Sequence, residues 1–303
     1  MHRLRLRPDT YRRVTVVALV ALGFIVVTGG TVRLTGSGLG CPDWPTCAED
    51  RIVAPWDYHA MVEFVNRTVT GLVSVAVVAA VLGSLVRVPR RRDLTLLSLG
   101  LVAGVIAQIV LGGLTVLFEL KPQFVMAHFL LSMVLVTNAV VLVARAGQPD
   151  APRRPVTSST VRRMAQLSAA LAAVAVVWGT VVTGSGPHGG DPDVERLGFF
   201  VPDVARLHSL SVLAFLAATL VTLARLRAEG APPALLRRAE LLLAVAAAQA
   251  VVGWAQYFTG VPELLVGIHI AGATATWAAV VWWLTGFHHR PASAEVRAEP
   301  VRV

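Results

Sequence analysis

Apolar residues in this chain fall in long continuous runs, not in the single-face stripes of a helix resting on a soluble core. Eight runs, at about 14–33, 62–86, 94–118, 123–144, 163–183, 203–224, 237–258 and 264–287, each reach the roughly 20 residues that cross a ~30 Å hydrocarbon layer. They predict an all-α, polytopic membrane protein with eight transmembrane helices. The first run follows a basic start, as in a signal peptide. It ends in Gly29-Gly30-Thr31-Val32-Arg33 without a small-x-small cleavage site, so it counts as a span.

The runs repeat. The first ends Gly30-Thr31-Val32-Arg33-Leu34-Thr35-Gly36-Ser37-Gly38 and the fifth Gly179-Thr180-Val181-Val182-Thr183-Gly184-Ser185-Gly186. Ala107-Gln108-Ile109-Val110-Leu111-Gly112 in the third returns in the seventh as Ala248-Gln249-Ala250-Val251-Val252-Gly253. The same offset aligns His128 with His269, and one residue more aligns Asn66 with His208. Four spans return the chain to its starting side, so the copies share one orientation. The expectation is two tandem four-helix bundles related by a pseudo-two-fold axis along the membrane normal. They would occupy residues 1–145 and 163–287, joined by a cytoplasmic linker at 146–162 and followed by a solvated tail at 288–303.

Composition agrees: 15% charged and 55% hydrophobic residues, with a mean hydropathy of +0.67. The net charge of +9 would suit a nucleic-acid partner if it were clustered on one face. Instead 21 of the 27 Lys and Arg lie in the N-terminus, every second loop and the C-terminus. That is the positive-inside pattern. It predicts both termini in the cytoplasm, and the bilayer, not nucleic acid, as the partner of the basic residues.

Only three of the eight histidines fall within spans: His128, His208 and His269. Each follows a helix-opening proline, Pro122, Pro202 or Pro262, by six or seven residues, which puts all three about 9–10 Å below the outer helix ends. Asn66 falls at the same depth. His208 and His269 can face each other across the second bundle and hold a haem iron between them. Zinc fits less well, since neither cysteine nor carboxylate completes a tetrahedral set. In the first half the corresponding pair is Asn66 and His128, which offers iron one strong ligand and one weak or open position. Glu63 and Arg67 stand beside Asn66. They read either as an ion pair near the headgroups or as a carboxylate directed at a bound substrate. Gln108 and Gln249 suggest a shared packing or hydrogen-bonding role, and Arg33, Arg67 and Arg206 are placed to meet haem propionates.

Both cysteines, Cys41 and Cys47, lie in the first outer loop, where an oxidising compartment favours a disulfide. A structural bond and a reducible, regulatory pair both fit. The stiff loop, with a tryptophan and two prolines, could act as a lid over the first bundle.

The stretch from Gly29 to Leu39, followed by Cys41-Pro42-Asp43-Trp44-Pro45, closely resembles the opening of the haem A synthase family, as do Glu63-x-x-Asn66-Arg67 and the paired-helix histidines. The resemblance covers all eight runs. It implies an oxidoreductase of the bacterial plasma membrane with its haem sites toward the outer face. That enzyme oxidises the C8 methyl of haem O to the formyl group of haem A by two hydroxylations and loss of water, for the terminal oxidase. It further implies haem b on His208 and His269, haem O in the first half at His128, with Asn66 and Arg67 beside it, and Glu63 as the catalytic carboxylate. Contact with haem O synthase and with a quinone or other electron acceptor follows from the same resemblance. Many family members carry histidine where this chain has Asn66. The competing readings are a two-haem membrane cytochrome that takes electrons from quinol without modifying haem, a transporter, and a structural assembly factor.

Overall fold

The computed structural model describes residues 5–48 and 51–290. Eight helices fill them: α1 (Pro8–Leu34), α2 (Tyr58–Val86), α3 (Arg92–Leu117), α4 (Pro122–Ala146), α5 (Ser159–Ser185), α6 (Val201–Ala228), α7 (Pro233–Phe258) and α8 (Glu263–Thr285). All eight are long and apolar enough to cross a membrane. The protein is therefore a multi-pass membrane protein. Helices dominate because no water in the bilayer core can satisfy a backbone amide, and a helix satisfies its own.

Several helices outrun the apolar segments that predicted them, α1 by six residues at its start. Pro8 opens it in the first turn, Asp9 suits the N-terminal dipole, and Tyr11 is fully buried with its hydroxyl 2.9 Å from Ser98 Oγ of α3. Hydropathy registers the length that crosses lipid; the helix continues past it wherever caps and packing allow. Ser158 caps α5 in the same way, its Oγ accepting from Val161 N–H.

Each run of four helices closes on itself. α1 packs on α2 and α4, and α3 completes that ring; α5 packs on α6 and α8, and α7 completes the second. Between the rings α4 meets α8, and α1 meets α8 as α5 meets α4, the reciprocal pattern of a two-fold relation. Apolar burial against lipid tails drives little association, so close approach and hydrogen bonds matter more. Leu135 and Asn138 of α4 seat on Gly104 and Gly100 of α3, and Asn138 Nδ2 donates to Leu97 O at 3.0 Å. At the junction Trp277 Nε1 of α8 donates to Met133 O (3.0 Å) and Thr137 Oγ1 (2.9 Å) of α4, amid Val136, Val140 and Val281.

The repeat extends to backbone conformation. The α3–α4 turn places Glu119 and Leu120 at φ 52° and 56°, and the α7–α8 turn places Gly260 and Val261 at 81° and 60°. In both, the second left-handed residue donates back to the helix, Leu120 N–H to Thr115 O at 2.8 Å and Val261 N–H to Gln256 O at 2.7 Å, closing a Schellman motif.

The opposite membrane face is tied by charge and a short ribbon. The strands β1 (Arg154–Pro155) and β2 (His288–His289) pair antiparallel. The predicted tail thus begins as a strand paired to the linker; its remainder, 291–303, lies outside the described residues. Next to the ribbon, Asp93 accepts from Arg91 (2.9 Å) and Arg290 (3.1 Å), with Arg145 at 3.9 Å.

Candidate functional site

His128, His208 and His269 stand six, seven and six residues into α4, α6 and α8, about 9–11 Å along each helix from its end on the cysteine-loop face. Asn66 is eight residues into α2, about 12 Å along. The four side chains share one level of the membrane.

In the second half the His208 and His269 rings face one another with centroids 6.3 Å apart and planes at 76°. Two imidazoles at that spacing leave room for one metal ion between them, so His208 and His269 are the residues that would hold a haem iron. His208 Nδ1 lies 2.9 Å from Ala175 O. A carbonyl only accepts, so Nδ1 carries the proton and the Nε2 lone pair is left for a ligand. Gln249 Nε2 on α7 donates to His269 O at 2.8 Å and lies 2.9 Å from His269 Nδ1. One turn along the same face, Gly253 leaves the space that the His269 ring fills; Gly179 on α5 does so for His208.

The first half repeats part of this arrangement. Gln108 Nε2 donates to His128 O (3.1 Å) and to Ser132 Oγ (2.6 Å), and Gly112 makes room for the His128 ring. His128 Nδ1 and Gln108 Oε1 are both buried without a partner. Asn66 differs from its counterpart His208: its Oδ1 accepts from Thr28 Oγ1 of α1 at 2.8 Å. The shared role expected of Gln108 and Gln249 is thus to hold a histidine's backbone carbonyl.

Glu63 is buried, with 5% of its surface exposed, and both oxygens are engaged. Oε1 accepts from Arg67 Nη2 (2.6 Å) and Nε (3.1 Å), and Oε2 from Cys41 N–H (2.8 Å). Arg67 also donates to the carbonyls of Cys41 (3.0 Å) and Thr46 (2.8 Å) and, at 3.3 Å, of Asp43. Cys41 and Cys47 form a disulfide and are both buried. Trp44, at the tip of this loop, lies against Gly113 of α3. The cysteine loop therefore straddles α2 and α3 and is gripped by the Glu63–Arg67 pair. The two readings of that pair from sequence omitted this third party.

The remaining candidates stand apart from the facing rings. Arg33 Nη2 donates to Thr183 O at 2.7 Å, joining the halves, and Arg206 pairs with Asp203 at the surface. His59 Nδ1 is 3.0 Å from Ser37 Oγ, and His188 Nε2 donates to Val261 O at 2.7 Å. Among the described residues no three His, Cys, Asp or Glu side chains gather as a metal cluster. Thr28 and the glycines behind the rings escaped the sequence reading. Gly112 and Gly253 close the recurring Ala-Gln-x-x-x-Gly, and that was the available signal.

Comparison with known proteins places this geometry in context. The family model of the COX15-CtaA cytochrome oxidase assembly proteins matches residues 12–187, which include Glu63, Asn66, Arg67, His128 and both cysteines and stop short of His208 and His269. The heme A synthase of Symbiobacterium thermophilum is 35% identical over 160 residues, 48% of this chain and 50% of the relative. That of Geobacillus thermodenitrificans is 29% identical over 161 residues (51% and 48%), and that of Exiguobacterium sibiricum 29% over 129 (41% and 43%). The chain spans half or less of the length of these curated relatives. With more than half of its residues matched by the family model, the chain belongs to the COX15-CtaA family of cytochrome oxidase assembly proteins.

Proposed function

We infer that this protein is a haem A synthase, an oxidoreductase that converts the C8 methyl of haem O to a formyl group. The observation that carries the reading is the asymmetry between matched sites. One half presents two imidazoles with ring centroids 6.3 Å apart; the other has His128 and, at the position the internal repeat matches to His208, an asparagine bonded to Thr28. A closed pair suits a resident cofactor and a half-open one a substrate that must enter, react and leave. That the similar proteins are heme A synthases supports the same reading.

On this reading residues 163–287 hold haem b between His208 and His269, and residues 1–145 take haem O at His128. When bound, haem b supplies one-electron transfer. The chain's own residues orient and select. Ala175 O sets the His208 tautomer, Gln249 and Gly253 set the His269 ring, and Gln108 and Gly112 do the same for His128. Thr28 holds the Asn66 amide so that the position opposite His128 carries a weak ligand or a water. With water as the oxygen source, each hydroxylation replaces one C–H bond of the methyl carbon with a C–OH bond and releases two electrons and two protons; the second round gives a geminal diol. The geminal diol then loses water to leave the aldehyde. Glu63 is the acid–base group for those protons: Oε1 is filled by its two bonds from Arg67, and Oε2, which accepts from the Cys41 amide alone, keeps a lone pair for a proton. Electrons leave to a quinone or another membrane acceptor, and haem O arrives from the enzyme that makes it. Both termini face the cytoplasm and the ring sites lie toward the outer leaflet, in keeping with the basic loops.

The test is haem extraction and mass analysis from membranes of cells expressing the chain together with a source of haem O. Wild type should yield haem A. Glu63→Ala should accumulate haem O or its hydroxylated form, and His269→Ala should lose haem b as well. Haem b alone in every sample, with haem O untouched, would replace the synthase with a two-haem cytochrome.

A further inference from the structure

The junction of the two halves opens a cleft on the linker face, far from the rings, between α4, α5 and α8. Its volume is about 310 Å³, at the small end of cavities that hold a ligand. Val141, Trp277 and Leu284 form its apolar wall, and Arg145, Arg153 and His288 its mouth. Arg145 is the penultimate residue of α4 and His288 lies just past α8, so the mouth sits where helices leave the hydrocarbon and meet headgroups.

The charge at that mouth is not balanced. No carboxylate lines the cleft. The nearby acids, Asp93 and Asp150, are engaged by Arg91 and Arg290, and Arg145 reaches Asp93 only at 3.9 Å. Arg145 Nε is buried with no hydrogen-bond partner, and among the described residues no acid pairs with Arg153. Burial, and secondly the Arg162 and Arg153 guanidiniums, hold the His288 imidazole below its ordinary pKa. A basic mouth at headgroup level above an apolar slot is the surface an anionic lipid complements. A neutral lipid or a quinone would leave those guanidiniums unmatched. A free anion would leave the apolar wall uncovered.

We propose that the cleft between α4, α5 and α8 is a binding site for one anionic phospholipid, its phosphodiester on Arg145 and Arg153 and one acyl chain against Val141, Trp277 and Leu284. The lipid bridges the halves, because α4 belongs to one ring and α5 and α8 to the other. The site is independent of the haem chemistry and stands or falls separately from it.

Native mass spectrometry of the full-length protein in detergent tests it, with phosphatidylglycerol, phosphatidylcholine and glycerol phosphate as probes. Wild type should retain one phosphatidylglycerol in preference to phosphatidylcholine. Arg153→Gln, an exposed side chain whose loss leaves the fold intact, should weaken retention about fivefold, and adding Arg145→Gln about fivefold more. Arg237→Gln, which removes an exposed arginine of the same face outside the cleft, should leave retention unchanged. Equal binding of the two lipids would overturn the proposal, as would equal effects of Arg153→Gln and Arg237→Gln. Displacement of the lipid by glycerol phosphate at matched concentration would make the site one for a soluble anion and overturn it too.

Discussion

The glycines behind the histidines give the most discriminating test of the ring geometry. A methyl group on Gly253 would stand 3.0 Å from His269 Cε1 and 3.5 Å from its Nδ1. At Gly179 the nearest atom is His208 Cε1 at 3.3 Å, and at Gly71, farther along α2, nothing lies within 4 Å. Carbon atoms in contact settle at about 3.5–4.0 Å, so Gly253→Ala must move the His269 ring by roughly 0.5–1 Å and Gly179→Ala the His208 ring by a few tenths. Metal–nitrogen bonds tolerate about 0.2 Å. The first displacement exceeds that tolerance and the second lies near it. Gly253→Ala should therefore lower haem affinity 10- to 100-fold, the range for a disturbed ligand support, and Gly179→Ala less. Alanine is also the better helix former by ~0.5–1 kcal/mol, so neither change should unfold the protein. Haem content and the reduced-minus-oxidised spectrum of purified protein are the readouts, with Gly71→Ala as the inert control. A full complement of low-spin haem in Gly253→Ala would refute the argument that these two rings hold an iron at their present spacing.

Three further outcomes follow from the same geometry. Arg67→Ala removes a guanidinium from a buried carboxylate and from three loop carbonyls; with a quarter of the Arg67 side chain exposed, the loss should be about 2 kcal/mol, below the range for a fully buried pair. It should appear as a lower thermal midpoint and faster proteolysis of the cysteine loop, and unchanged loop protection would count against the grip described. Cys41→Ser opens a loop of sequence separation 6 and should cost about 2 kcal/mol by chain entropy, measured by denaturation with and without reductant. Glu229 accepts from Ser158 Oγ at 2.5 Å and from Ser158 N–H at 3.2 Å, and these bonds hold its carboxyl below the usual value of 4.5. That contribution is complete above about pH 4.5 and is lost as pH falls through the lowered pKa, so Glu229→Gln should lower stability at neutral pH, leave it unchanged at low pH, and so flatten the acid limb of a stability–pH curve.

How far the sequence reached can be judged residue by residue. Eight spans, the internal repeat and the shared depth of His128, His208 and His269 were legible, because each follows from periodicity and the rise of a helix. The disulfide was legible because the chain has two cysteines, six apart, in one loop. The ribbon joining Arg154–Pro155 to His288–His289 was not, since two-residue strands carry no periodic signal and their partners lie far apart in the chain. Nor could the sequence couple Glu63 to Cys41: the i, i+4 spacing to Arg67 is visible, but the amide that takes the second oxygen arrives through loop packing. The glycines at 112, 179 and 253 were visible as repeat letters without a function, because only the folded bundle shows which ring each one admits.

The Asp93 carboxylate bears on the order in which this protein is built. It meets Arg91 two residues away and Arg290 197 residues later. At 5–20 residues per second a ribosome needs roughly 10–40 s to travel between them. Throughout that interval the early half has its own counter-ion for Asp93 and can wait in the bilayer without an unpaired acid. The arginine beyond α8 then docks on a carboxylate already set in place, and its emergence becomes the moment at which the two halves are latched.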